Sequence, residues 1–168
     1  MERDAGVVPD AEIMGAMEVL PIPPEFETEA VCMWRECGLT RPWNDPAADL
    51  DRAMEGPSSA VLAAVDHQEL LGTVMVGHDG HRGWVYYLAV RPDRRGLGIG
   101  RALMRAAESW LEERNVPKIQ LMVRASNTEV IDFYERLGYV DQSVAVLGRF
   151  LDDDLQALRQ RGSTVQDN

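Results

Sequence analysis

The sequence is poor in cysteine, in long apolar runs and, over its first third, in positive charge. Its two cysteines, Cys32 and Cys37, lie five positions apart in a helical pattern, a spacing that matches neither a redox pair nor a set of metal ligands. They are expected to be free, buried thiols, and no metal site is expected. No apolar stretch is long enough to cross a bilayer, and no basic segment at Met1 leads into an apolar one. Neither a membrane partner nor an export signal is therefore expected, and the cytoplasm is the expected compartment. Internal repeats and low-complexity stretches are absent too, which excludes a repeat array. Of the 28 acidic residues behind the formal net charge of −11, thirteen fall within residues 1–56, opposed there by four Arg and no Lys. That balance argues against nucleic acid as a partner. It would favour a cationic molecule, such as an amine or a basic peptide end, although a solvated acidic surface accounts for it equally well.

At 168 residues and 45% hydrophobic content, the chain fits one domain with a sizeable core. Residues 1–16 lack periodicity and carry Asp4, Gly6, Pro9, Asp10 and Gly15, which reads as a mobile leader. A strand over 17–22 precedes a helix over 24–36, opened by Pro23-Pro24 and closed by Gly38. A turn-rich loop over 39–46 exposes Trp43 and leads to a short helix over 47–54 that Gly56-Pro57 stops. Strand patterns over 59–65, 70–76 and 84–90 predict an antiparallel meander. From Gly98 to Arg114, Ile99, Leu103, Ala106, Ala107 and Trp110 recur at helical intervals. A strand over 118–123, a helix over 128–137 closed by Gly138, a last strand or bent pair of strands over 139–147 and an acidic helical tail over 148–168 follow. This order predicts an α/β fold, with a mixed, mostly antiparallel sheet of six to seven strands and helices on both faces, in a domain over 17–147.

The scarce positive charge is concentrated. Arg91, Arg94, Arg95, Arg101 and Arg105 are opposed within their own segment only by Asp93, and among them lies Arg95-Gly96-Leu97-Gly98-Ile99-Gly100, between the strand ending at Val90 and the following helix. A strand that turns through glycines into a helix aims unpaired backbone N–H groups, and the positive end of the helix dipole, at one spot. The pattern predicts a pyrophosphate cradle. A sharp strand-to-helix connection with no ligand would use the same glycines. A P-loop would need Gly-Lys-Ser/Thr, which does not follow, and a dinucleotide site of the Rossmann type would place the loop after a first strand.

The element order, the Arg95-x-x-Gly98-x-Gly100 loop after Leu88-Ala89-Val90, and Asn127 followed by Phe133-Tyr134-Glu135-Arg136-Leu137-Gly138-Tyr139 closely resemble the GNAT superfamily of acyl-CoA-dependent N-acyltransferases. The resemblance covers about residues 17–147. Within it, the 41–46, 79–83 and 86–90 segments resemble a small bacterial branch labelled YpeA-like. The resemblance implies acetyl-CoA as co-substrate, its pyrophosphate on Arg95, Gly96, Leu97, Gly98, Ile99, Gly100 and Arg101, and its pantetheine arm along Leu88, Ala89 and Val90. It implies that Leu88 offers an N–H to the thioester oxygen at a strand splay, that Asn127, Phe133 and Tyr134 contact the cofactor, and that Tyr134 protonates the departing thiolate.

The residues themselves leave other readings open. Val130, Phe133, Tyr134 and Leu137 fall at i, i+3, i+4 and i+7, which is also the core face of a helix. Ser126-x-x-Glu129 is a capping box that would put Asn127 in a first helical turn. A base for the acceptor amine is sought among His78, Asp79 and His81, with His81 the candidate because imidazole titrates near neutrality; a solvated loop histidine is the alternative. Trp43 and Asn44 are candidate walls of an acceptor pocket, or Trp43 packs its loop down. Tyr86 and Tyr87 should face opposite sides of their strand, so at most one of them, Tyr86 being the candidate, faces the acceptor. The expected function is an N-acetyltransferase moving acetyl directly to a primary amine of a small molecule or peptide. A non-catalytic acyl-CoA sensor or interaction module on the same fold is the alternative, and would need the glycine loop but not Tyr134. A homodimer is left open.

Overall fold

The computed structural model describes residues 17–163, so the leader read over 1–16 lies outside the described residues. These form two compact units, one of residues 17–39 with 46–121, the other of Thr40–Asp45 with 122–163.

In the first unit β1 (Glu18–Pro21), β2 (Ser59–Asp66), β3 (Glu69–His78) and β4 (Gly83–Val90) form an antiparallel meander, and β5 (Ile119–Leu121) joins β4 in parallel, giving the sheet order β1-β2-β3-β4-β5. The parallel pairing requires a crossover, supplied by α3 (Ile99–Glu112). α1 (Glu27–Glu36), entered through a 3-10 turn at Pro24–Phe26, and α2 (Pro46–Met54) complete this unit. The end of α1 is fixed locally: Gly38 takes φ +69, and the N–H of Leu39 reaches back to the Trp34 carbonyl at 2.9 Å, a left-handed cap that glycine permits.

Both sheet faces are covered. Val61, Ala63 and Val65 of β2 join Ala30, Val31, Met33 and Trp34 of α1 and Leu50 and Ala53 of α2 in one buried cluster. The alternate residues Leu62 and Ala64 are also buried and point the other way, towards α3, which packs on β2, β3 and β4 and buries Ile99, Leu103, Met104, Ala107 and Leu111. Each of the fully buried leucine, isoleucine and methionine side chains contributes about 1.5–3 kcal/mol. The seat of α3 needs glycine beneath it, since a β-carbon on Gly83 would stand 2.4 Å from Leu111.

The second unit contains α4 (Thr128–Arg136) and α5 (Asp153–Ser163). The last strand expected over 139–147 does not form, and the described sheet has five strands rather than six to seven. A local turn competes with it: the Asp141 carboxylate accepts the Ser143 N–H at 2.8 Å, the Gln142 amide donates to the Val140 carbonyl at 2.9 Å and Ser143 sits at φ +52, an Asx turn that interrupts the extended run. Val140, Val144, Val146 and Leu147 are exposed as a result.

Candidate active site

The C-terminal half of β4 is irregular on both sides. Thr73 pairs with Ala89 and Met75 with Tyr86, so Val74 alone stands across from Tyr87 and Leu88. This is a β-bulge, and Tyr87 in it has φ +48. On the opposite side the pairing with β5 ends at Val85↔Leu121. From Tyr86 to Val90, β4 therefore has β3 on one edge and no strand on the other among the described residues. Leu88 and Val90 are half-buried and Ala89 is buried.

The bulge corrects one expectation. Tyr86 is paired with Met75, which packs against the Trp34 cluster, and Tyr87 is packed against that same cluster. The extra residue breaks the two-residue alternation, so the two tyrosines share a face instead of opposing one another. Tyr86 is 44% exposed, and its pKa is raised by partial burial and then by the charge of Asp79. Tyr87 stacks on Trp34, ring centroids 4.1 Å apart, and its hydroxyl donates to Asp49 at 2.7 Å.

Beyond Val90 the chain makes a 3-10 turn at Pro92–Arg94, extends at Arg95 and passes through Gly96 at φ +82 and Gly98 at φ +81 into α3. Gly98 is the N-cap of α3, no side chain caps the helix, and its first turn holds no acidic residue. The first N–H groups of a helix have no intrahelical acceptor, which leaves those of Ile99, Gly100 and Arg101 available to an anion. The five arginines divide in two. Arg91 is engaged by Glu69 and Asp93, and Arg94 by Glu69. Arg95 instead contacts the Cys37 sulfur at 3.7 Å, while Arg101 and Arg105 are exposed. The positive field at the helix start therefore comes from Arg95, Arg101 and Arg105.

The Cys37 thiol also lies 3.6 Å from the Val90 carbonyl. Both cysteines are free, as expected, but Cys32 is exposed and Cys37 only half-buried. Cys32 falls on the outer side of α1, flanked by the buried Val31 and Met33.

His81 sits at the other end of β4. It is seven residues before Leu88, which along extended chain is roughly 20 Å. Asp79 organises this turn, accepting the N–H groups of His81 and Arg82 at 2.8 and 2.7 Å and the Trp84 indole N–H at 3.1 Å. Those bonds, Arg82's first, lower the Asp79 pKa to about 2. His81 thus belongs to a hairpin turn and is not brought to the strand end that carries Leu88.

In the second unit, Tyr134 is the one buried residue of α4. Its ring meets Phe133 and Tyr139 edge-on, with centroids 5.1 and 5.7 Å away, and burial pushes its pKa up to about 12. Gly138 at φ +91 and the Tyr139 N–H on the Tyr134 carbonyl, 3.0 Å, end the helix. Its N-cap is Asn127 rather than Ser126, with no side-chain cap bond, so the expected capping box does not form and the exposed Asn127 amide is left uncommitted to the helix. Trp43 and Asn44 belong to the same unit as Tyr134. Trp43 is half-buried, and the Asn44 side-chain oxygen accepts the Arg41 N–H at 3.0 Å. Among the described residues no cluster of His, Cys, Asp or Glu could hold a metal, and no helix is long and apolar enough to cross a membrane.

A profile of the acetyltransferase (GNAT) family matches residues 26–139, and the chain belongs to that family. Solved structures with the same fold include a transcriptional regulator from Bacillus halodurans C-125, 18% identical, with a TM-score of 0.70 over 80% of this chain and 99% of that one. The aminoglycoside N-acetyltransferase AAC(6')-Iy in complex with CoA is 14% identical, with a TM-score of 0.70 over 81% and 95%. A ribosomal-protein-alanine N-acetyltransferase from Brucella melitensis biovar Abortus 2308 is 21% identical, with a TM-score of 0.65 over 80% and 99%.

Proposed function

We propose that the protein is an N-acetyltransferase that moves an acetyl group from acetyl-CoA directly to a primary amine of a small molecule or peptide, in the cytoplasm and without a metal. One observation carries this reading: the open edge of β4 from Tyr86 to Val90 runs on through the Arg95–Gly100 turn into a helix start that no side chain caps. Open strand edges take up extended amide-bearing chains by main-chain hydrogen bonds, which suits pantetheine along Leu88, Ala89 and Val90. Uncapped helix N–H groups suit a diphosphate, here on Gly96 to Gly100 with Arg95 and Arg101 supplying charge. Asn127 and Phe133 complete the cofactor set by the family resemblance.

In the proposed reaction a neutral amine attacks the thioester carbon. The C–N bond forms and the carbonyl π pair moves onto oxygen, with the Leu88 N–H as the donor that stabilises it. Collapse breaks the C–S bond, and the thiolate takes the Tyr134 proton. The proton released by the amine returns to Tyr134 through water. A phenol raised to about 12 stays protonated at working pH, as a donor must. His81 has no part in this scheme. Trp43 and Tyr86 are proposed as acceptor contacts, and Asn44 orders the loop that carries Trp43. The names of the aminoglycoside and ribosomal-protein-alanine enzymes specify amine acceptors, and the acidic first third of this chain suits a cationic one. The finer assignment to the YpeA-like branch rests on the 41–46, 79–83 and 86–90 segments. The test is thiol release from acetyl-CoA across a panel of amines, together with a melting curve. Acetyl-CoA should raise Tm, and an unchanged Tm defeats the proposal.

A further inference from the structure

The bulge in β4 is held from three other elements at once, β3, α1 and α2. Tyr87 has φ +48, a left-handed conformation that costs a non-glycine residue free energy and persists only where its surroundings over-determine it. The surroundings here are specific. The Thr73 hydroxyl donates to the Tyr87 carbonyl at 3.4 Å and accepts the Trp34 indole N–H at 2.7 Å. The Tyr87 ring lies flat on Trp34 at an interplanar angle of 11°, and its hydroxyl donates to Asp49 at 2.7 Å.

Trp34 and Thr73 are both 0% exposed, and Thr73 is the one buried polar residue of the described core. A buried indole N–H needs a partner. The Thr73 hydroxyl accepts it and at the same time reaches the Tyr87 carbonyl. β3 therefore carries a threonine in an otherwise apolar run, Leu70-Leu71-Gly72-Thr73-Val74, at the strand position next to the one that faces the bulge.

We propose that Thr73, Trp34, Tyr87 and Asp49 are positioning residues that set the direction of the Leu88 N–H by locking Tyr87 in its left-handed conformation. This rests on the acetyltransferase reading, in which Leu88 is the donor to the oxyanion. None of the four touches the reacting atoms. Thr73 and Trp34 hold the Tyr87 main chain, the Trp34 stack and Asp49 hold its side chain, and the next residue along the chain is Leu88. An oxyanion donor acts only if aimed before the charge develops, and errors of an ångström cost large factors in rate.

The test compares Thr73→Val, which keeps the shape and removes the hydroxyl, with Thr73→Ser, which restores it. Three quantities are measured: CoA affinity by calorimetry, kcat and KM with acetyl-CoA and an amine, and the φ of Tyr87 from backbone NMR shifts. The expected result for Thr73→Val is a loss of roughly 10- to 100-fold in kcat, with CoA affinity held within about threefold and Tyr87 moved out of positive φ. Thr73→Ser should regain most of kcat and the native φ. A Thr73→Val protein that melts earlier but keeps kcat and the Tyr87 φ overturns the proposal, as does a Thr73→Ser protein no better than Thr73→Val. If the unsubstituted protein transfers acetyl to no amine, the acetyltransferase reading fails by itself. The φ measurement then decides separately whether Thr73 sets the bulge.

Discussion

Gly72 lies so close beneath Ala89 that a β-carbon on it would stand 2.6 Å from the Ala89 carbonyl oxygen, with Leu103 and Ile99 of α3 at 3.1 and 3.3 Å. Neither a backbone oxygen nor a packed helix can yield cheaply. Gly72→Ala should destabilise the fold by roughly 1–3 kcal/mol, the usual cost of forcing volume into a packed site. Because Ala89 follows Leu88 on the proposed cofactor strand, acetyl-CoA affinity should fall as well. Melting curves with and without acetyl-CoA check both effects.

Gly98 at φ +81 begins α3, and a side chain there is strained by roughly 1–2 kcal/mol. A methyl group would also stand at the approach to the helix N–H groups. Gly98→Ala should weaken CoA binding by about tenfold or more, measured by calorimetry, with a smaller effect on kcat at saturation.

Replacing Tyr134 by Phe should cut kcat by roughly 10²- to 10⁴-fold, the range of general acid catalysis, while CoA affinity is unchanged. A protein that turns over equally well without the hydroxyl has another acid.

The same tyrosine predicts an alkaline effect on stability. Burial raises its pKa from 10.0 to about 12. Between those values the unfolded chain has lost this proton and the folded chain retains it, so the unfolded state binds fewer protons and stability falls as pH rises. Its contribution is complete below pH 10 and is lost towards pH 12. Denaturant melts at pH 9 and 11 should show a smaller difference for Tyr134→Phe than for the parent.

Asp79 titrates in the opposite sense. Its pKa is lowered from 3.8 to about 2, so its contribution is present above 3.8 and is lost as pH falls through 2. Asp79→Asn should melt below the parent at pH 6, and the two should converge near pH 2. His81→Ala, at the same turn, should leave kcat and KM within about twofold, as expected of a surface change away from the chemistry. A large loss of kcat would restore His81 as the base.

What could be read from the sequence was whatever is encoded locally. Gly38 and Gly138 end their helices as the pattern of apolar residues and glycine indicates, and the meander follows from alternation punctuated by turns. The glycine loop between Val90 and α3 was visible because strand, turn and helix are contiguous. The bulge was not, since it depends on how β3 registers against β4, and alternation alone put Tyr86 and Tyr87 on opposite faces. The role of Thr73 was hidden for the same reason, although a threonine amid Leu70, Leu71, Val74 and Val76 was a signal. The division of the arginines was equally non-local, because Glu69, far upstream of the loop, decides that Arg91 and Arg94 are engaged. Val144 and Val146 have the spacing of a strand, but Asp141 offers the backbone a turn first.

β5 stops after three residues, and among the described residues no strand pairs with that edge of β4 beyond Val85. Such an edge is a template for any extended chain, including misplaced ones. A coenzyme lying along it would act as a solubility partner as well as a reagent. Stocks of the protein kept with CoA should accordingly stay monodisperse at concentrations where stocks without it form aggregates.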